Sequence, residues 1–283
     1  MKTARWDLAA VWALRVLTYS VVASVVYIIG HIVWHGLPAM HWEFVSGFPR
    51  RSGAEGGILP AIVGTGCLVL GTITLALPLG MACAIFLSEY AAQGRFTRLI
   101  RLSIVTLAGI PSIVFGLFGL GLFVIFLGFG ASILSGSLTL ACMVLPVIIV
   151  ASEEALRAVP ASLREGSLAL GASQWQTIAR NVLPYAVPGM ITGSILAIGR
   201  AAGETAPILF TAAAFFLPRL PQSIYDQVMT LPYHLYILAT QHPDAAAVRD
   251  EQYGTALVLL LLVLGVNLAA ILLRYHFRKK YRW

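Results

Sequence analysis

Residues 101–153 read RLSIVTLAGIPSIVFGLFGLGLFVIFLGFGASILSGSLTLACMVLPVIIVASE, and no Asp, Glu, Lys or Arg lies between Arg101 and Glu153. A helix crosses the bilayer core with roughly 20 apolar residues, so this run is long enough to cross twice. The stretch Gly128–Ser137 (GFGASILSGS) supplies the turn between the two crossings. Lipid offers no partner to an exposed backbone amide, so a spanning segment is helical unless strands close into a barrel. No strand-like alternation is present, and helices are the reading.

The same pattern continues outward. Arg15 to Glu43, Glu55 to Glu89 and Glu251 to Arg274 are also free of charge, and Val187–Leu217 is apolar apart from Arg200 and Glu204. Six spans result, at about 13–36, 58–88, 99–127, 134–152, 187–217 and 254–274. The fold class is therefore all-α, a polytopic membrane protein with six transmembrane helices. Residues 1–57 form an N-terminal segment with the first span and an outer loop, and 58–283 form the core transmembrane domain. Composition agrees: 59% of residues are hydrophobic and 11% charged, where soluble domains carry about a quarter charged. Mean hydropathy is +0.85.

An even number of spans puts both termini on one side, and the positive-inside rule names it. With the N-terminus inside, fourteen Lys and Arg fall in cytoplasmic segments, against four outside (Arg50, Arg51, Arg219, Arg249), with Arg200 inside a span. The net charge of +7 follows from that asymmetry and from the tail RYHFRKKYRW. Basic and aromatic residues beside a span anchor it at anionic headgroups, so the tail reads as a lipid contact and not a nucleic-acid site. The first apolar stretch runs long, with no A-x-A site after it, unlike a cleaved leader. Cys67, Cys83 and Cys142 fall inside spans and read as free thiols.

One cytoplasmic segment stands apart. Glu153–Pro184 reads EEALRAVPASLREGSLALGASQWQTIARNVLP. Ser162 with Glu165 and Ser173 with Gln176 both fit the S-x-x-E/Q capping box, and Gly171 sits where a helix C-terminus would need it. Two short helices joined at Gly171 are expected, an order that points to a docking element. The charges Glu153, Glu154 and Glu165 against Arg157, Arg164 and Arg180 read as a balanced, solvated loop. Outside, Pro218–Gly254 is long, with an interfacial helix expected around a break at Pro232.

Inside the fifth span, Arg200 and Glu204 are four apart and share a helix face, so they can pair. Charge at membrane depth is costly and marks a substrate path by default. Gly189, Gly193 and Ala197 continue that face and are expected to turn the pair into the bundle. Arg200 is suited to attract an anion, Glu204 to hold or release it, and the Thr205 hydroxyl to assist. A register-fixing ion pair is the structural alternative. His31, His35 and His41 lack a carboxylate or Cys partner at metal-site spacing, so no metal site is expected. Ser112 and Ser194 have no His–Asp companions, and no catalytic group is expected. The three lysines, Lys2, Lys279 and Lys280, never follow glycine, so no P-loop exists in this chain. The chain binds no cofactor on this reading; any ATP and Mg are used by another subunit.

The island Glu153–Pro184 resembles the E-A-A-x-x-x-G coupling loop of ABC-importer permeases. Glu165 takes the Glu position, Gly171 the Gly position and Leu183–Pro184 the closing pair. Gly166 and Ser167 replace the two alanines, and Asn181 stands where a branched apolar residue is usual. GGILPAIVGT (56–65), FLSEY (86–90), GIPSIVFGLFG (109–119) and RAAGETAP (200–207) are similar to the PstA family of phosphate-importer permeases, within the MetI-like binding-protein-dependent permeases. That resemblance implies import of inorganic phosphate across a bacterial cytoplasmic (inner) membrane. It also implies a PstC-like permease as heterodimer partner, two PstB-like ATPase subunits and an extracytoplasmic phosphate-binding protein. Glu165, Gly166, Gly171, Ala172, Leu183 and Pro184 would couple to the ATPase, and Arg200 and Glu204 match the family's intramembrane charged pair. A secondary carrier or channel for a small anion, or a permease for another oxyanion, are the alternatives.

Overall fold

The computed structural model describes residues 2–51, 55–243 and 248–280 of the chain. Helix α1 (Lys2–Gly36) leads into α2 (Trp42–Ser46) and two paired two-residue strands, β1 (Pro49–Arg50) and β2 (Glu55–Gly56). This small outer hairpin was not legible as alternation. Helix α3 (Leu59–Ile85) continues through a π-helical turn at Phe86–Tyr90. Next come α4 (Arg95–Ala108), α5 (Ser112–Gly119) with its π-helical extension Leu120–Phe126, and α6 (Ile133–Arg157). The polar island after α6 holds α7 (Ala161–Ala169) and α8 (Gln174–Thr177). The rest is α9 (Leu183–Gly203), α10 (Ala206–Thr211), α11 (Leu231–Thr240) and α12 (Arg249–Lys280). The end of the basic tail, 281–283, lies outside the described residues.

Among the described residues, five helices are long and apolar enough to cross a membrane, and a bent pair brings the number to six. The bend corrects the third expected span. Arg95–Ala108 and Ser112–Phe126 meet at 102°, so 99–127 is not one rod. Pro111 is the cause: it has no N–H to donate and drives the residue before it out of the helical region. The fifth span is also shorter than 187–217. Helix α9 stops at Gly203, Glu204 is extended (φ −74°, ψ 134°), and α10 adds six residues before irregular chain.

Helix α6 is the hub. It packs against α3 and α9, burying Leu140, Val144 and Ile148. Small residues permit the closest approach: a Cβ on Gly193 of α9 would collide with Ala151 of α6, the contact that small-xxx-small patterns provide in membranes. Pro146 lies within α6, and Ser132 caps its start by accepting from the Ser135 amide at 3.2 Å. Helix α1 stands at the edge. Its side chains from 10 to 30 are exposed, and it meets α12 where His31 and His35 stack with Tyr253 at ring distances of 5.5 and 5.0 Å.

The segment 212–230 folds over the start of α6, whose Ile133 and Leu134 amides donate to the Asp226 and Ile224 carbonyls. Pro232 lies in the first turn of α11 and does not break it. A missing N–H is harmless there, where helix amides have no partner anyway. Helix α11 is tucked into the bundle against α3 and α12, with Leu231, His234 and Leu238 buried. It is therefore not the surface-lying helix expected from the sequence.

Candidate functional site

The Glu153–Pro184 island departs from its expected capping. Helix α7 starts at Ala161 after Pro160, which is extended (ψ 138°) and offers no capping side chain. Ser162 is thus already inside the helix, and the Ser162–Glu165 capping box does not form. The Ser173–Gln176 box does form, with both reciprocal hydrogen bonds present. Gly171 takes φ +83°, and its amide donates to the Leu168 carbonyl at 2.9 Å, as a left-handed helix end requires. The island is not two separate short helices. Helix α8 runs through a π-helical turn at Ile178–Val182 directly into α9, so Gln174–Gly203 is one helical run of 30 residues. Pro184 occupies the first turn of α9, and Leu183 packs with Val182 and Ala186.

The charges around the island are not simply solvated. Arg164 grips Glu89 with two bonds, Nη2 to Oε1 at 2.8 Å and Nε to Oε2 at 3.1 Å. The same guanidinium donates to the carbonyls of Leu156 and Val159, each at 2.8 Å. Both side chains are largely buried, at 22% and 9% exposure. The Glu89 carbonyl in turn accepts from Gln174 Nε2 at 2.6 Å. Glu89 therefore ties both α7 and α8 to the end of α3. Nearby, Glu153 faces Arg101 at 2.8 Å and Arg157 at 2.6 Å, joining α6 to α4. Glu89 sits 75 residues from Arg164, and no local spacing could have announced the pair.

The positions that depart from the coupling-loop pattern meet each other. Asn181 Nδ2 donates to Ser167 Oγ at 2.9 Å, and Ser167 Oγ lies 2.9 Å from Thr177 Oγ1. Ser167 in place of alanine and Asn181 in place of an apolar residue thus satisfy one another inside the island. On the outside of the turn, Glu165, Gly166 and Gly171 are exposed and Ala172 half-buried. Leu168, Leu170 and Trp175 are also exposed, Leu170 at 90%. Three large apolar side chains about one turn are exposure of the kind that marks a partner site.

Within the membrane, Arg200 Nε donates to Glu204 Oε1 at 3.1 Å. The pair spans the end of α9, because Glu204 has left the helix. Its orientation differs from expectation. Gly189, Gly193 and Ala197 lead on to Ala201, which is buried, while Arg200 sits one position off that face and stays 43% exposed in its side chain. Arg200 lines a groove of about 670 Å³ between α9 and α12, together with Thr192, Asn267 and Arg274. Glu204 faces the other way, into a cavity of about 10 Å³ shared with Thr65, Thr230 and Pro232. Thr205 lines neither space, so the structure does not bring all three pathway candidates to one surface.

A family profile described as "Binding-protein-dependent transport system inner membrane component" matches residues 76–283. The chain belongs to this family of permeases. Among curated relatives of this binding-protein-dependent permease, "Probable ABC transporter permease protein YqgI" of Bacillus subtilis is 37% identical over 264 residues, 88% of each chain. "Phosphate transport system permease protein PstA 1" of Mycobacterium tuberculosis is 39% identical over 220 residues, 78% of this chain and 71% of that protein. "Phosphate transport system permease protein PstA" of Xylella fastidiosa is 32% identical over 243 residues, 86% and 84% of the two chains. Two solved structures share the fold. An inward-facing MetNI methionine ABC transporter aligns with TM-score 0.60 at 17% identity, covering 78% of this permease and 94% of that chain. A bacterial ABC transporter importing alginate aligns with TM-score 0.63 at 15% identity, covering 93% and 96%. The fold is that of an ABC-importer permease, a multi-pass membrane protein.

Proposed function

We propose that this permease is the PstA-type subunit of an ATP-driven importer that moves inorganic phosphate across the bacterial cytoplasmic membrane. The observation that carries the reading is identity at 32–39% with PstA proteins over most of the chain. An arginine inside a span, with only one nitrogen committed to Glu204 among the described residues, suits an anionic cargo. Arg200 attracts the anion, Glu204 competes for the guanidinium when the site is empty, and the Thr205 hydroxyl lies next along the chain.

The partners follow from the same reading. A PstC-like permease completes the path, and two PstB-like ATPases hold the ATP and Mg that this chain does not bind. A phosphate-binding protein delivers cargo on the opposite face. Leu168, Leu170 and Trp175, around the Gly171 turn, are the apolar face offered to an ATPase cleft. Both termini lie in the cytoplasm on the charge count, which puts this face on the ATPase side. ATP binding draws the island inward, and the continuous helix to Arg200 re-faces the path.

The test is uptake and ATP hydrolysis in vesicles holding the reconstituted complex. Phosphate-loaded binding protein should stimulate both, and sulfate should stimulate neither. Stimulation by sulfate instead would assign another oxyanion. Uptake by this chain without any ATPase would make it a secondary carrier.

A further inference from the structure

Helices α9 and α12 run antiparallel and leave a groove of about 670 Å³ whose lining includes two arginines. Arg200 stands toward the C-terminal end of α9. Arg274 stands toward the cytoplasmic end of α12, with its Nη1 3.4 Å from Thr192 Oγ1. Thr192 and Arg200 are eight residues apart on one helix, or about 12 Å along its axis. Thr192, Leu196 and Arg200 therefore form one face of α9, opposite Ile271 and Arg274 of α12. The wall between the two guanidiniums is mostly apolar, with Ile195, Leu196 and Ile271, and carries one amide, Asn267.

Neither arginine is spent. Among the described residues, no carboxylate lies within 4.0 Å of Arg274, and Arg200 commits only Nε to Glu204. An anchoring arginine at a helix end needs no polar partner on a neighbouring helix and no groove leading inward. Arg274 has both. The Thr192 hydroxyl gives its one proton to the Pro188 carbonyl at 2.8 Å and only accepts from Arg274, so it positions the guanidinium, whose remaining N–H groups are the donors an oxyanion uses. Apolar walls screen poorly, which lets each charge act along the groove.

We propose that Arg274, positioned by Thr192, forms a second oxyanion station, on the cytoplasmic side of Arg200, through which the transported phosphate leaves. The proposal rests on the phosphate-import reading and adds the exit step to it. Two stations about 12 Å apart let the anion pass from one guanidinium to the next without crossing uncompensated apolar wall. The groove is open along one side, so the partner permease would complete it.

The experiment is uptake of labelled inorganic phosphate by the reconstituted complex, in vesicles of neutral phosphatidylcholine and in vesicles rich in anionic phosphatidylglycerol. Arg274→Gln should lower uptake about tenfold in both lipids, the scale of one lost hydrogen bond to a charged group, with basal ATP hydrolysis and assembly unchanged. Arg274→Lys should recover most of the loss, and Thr192→Val should show a smaller defect of the same kind. A defect confined to anionic vesicles would mean that Arg274 holds a lipid headgroup phosphate and would overturn the station. Loss of assembly in Arg274→Gln, with normal uptake in Thr192→Val, would make the contact structural and overturn it too. Normal uptake by both variants beside an active wild type sinks the station alone. A wild-type complex that moves no phosphate sinks the import reading, and the station with it.

Discussion

Arg164 and Glu89 are joined by two parallel hydrogen bonds, at 2.8 and 3.1 Å, across 75 residues of sequence. This clamp sets the island against the end of α3, because the same arginine also holds two carbonyls at the end of α6 and the loop after it. Removing one member of a buried pair leaves an unpaired charge, at a cost of about 3–5 kcal/mol. Glu89→Gln should therefore loosen α7 and lower the melting temperature of the solubilised complex. The double variant Glu89→Gln with Arg164→Gln should be less unstable than their separate losses added together. Strict additivity of the two losses would show that the pair is not coupled.

The Ser167–Asn181 bond is a second test. Asn181→Leu alone leaves the Ser167 hydroxyl with Thr177 as its one partner, and Ser167→Ala alone strands the amide. Each single change should cost about 1–2 kcal/mol, and a double-mutant cycle on thermal unfolding should return a coupling of about 1 kcal/mol. The pair Ser167→Ala with Asn181→Leu, which restores the usual pattern, should assemble normally.

Gly171 has φ +83°, where any side chain costs roughly 1–2 kcal/mol. No atom lies within 4 Å of a Cβ built there, so the penalty is conformational and not a clash. Gly171→Asp adds a charge at the turn beside the Leu170 and Trp175 patch. It should leave membrane insertion intact while abolishing co-purification of the ATPase. Normal retention of the ATPase by this variant would remove Gly171 from the docking surface.

Arg200 commits only its Nε to Glu204, at 3.1 Å, and no other ion pair holds it among the described residues. Arg200→Gln should assemble and melt as wild type while phosphate uptake falls to background. If assembly fails instead, the pair is a structural tie.

Asp226 lies in the outer loop and accepts from the amides of Gln222 and Ser223, at 2.8 and 3.0 Å. These backbone bonds hold its carboxyl below the ordinary value of 3.8, with Arg219 a smaller influence. The folded state thus favours the charged form. Its contribution is fully present above about 3.8 and is lost as pH falls through the lower folded value. Asp226→Asn should lower stability slightly at neutral pH and flatten the acid limb of the profile, the two proteins converging below that window.

Much of the scaffold could be read from residue order alone. The charge gaps located α3, α6 and α12 because desolvating charge is costly wherever a helix meets lipid. The Ser173 cap and the Gly171 turn were legible because both depend on neighbours within a few residues. The 102° bend was not, since hydropathy is indifferent to direction and Pro111 can kink a helix by a little or by a lot. Arg200 was visible as charge in a span and pairs with Glu204 four residues on as the spacing suggested, but its facing differs, because Arg200 lies one position off the buried face and Glu204 leaves the helix. Glu89 could be found only through the fold. Its one local signal, a carboxylate ending an apolar run, is shared by ordinary membrane boundaries.

The 30-residue run from Gln174 to Gly203 has a mechanical meaning. At 1.5 Å per residue it is a beam about 45 Å long, with Trp175 near one end and Arg200 near the other. A load applied at the Trp175 end needs no relay of side chains to reach the charge pair; it travels along one continuous helix. The compliance of that beam is set by the π-helical turn at 178–182 and by Pro188. Stiffening those few residues is therefore the way to make the two ends move more closely together, and softening them is the way to let one turn while the other stays still.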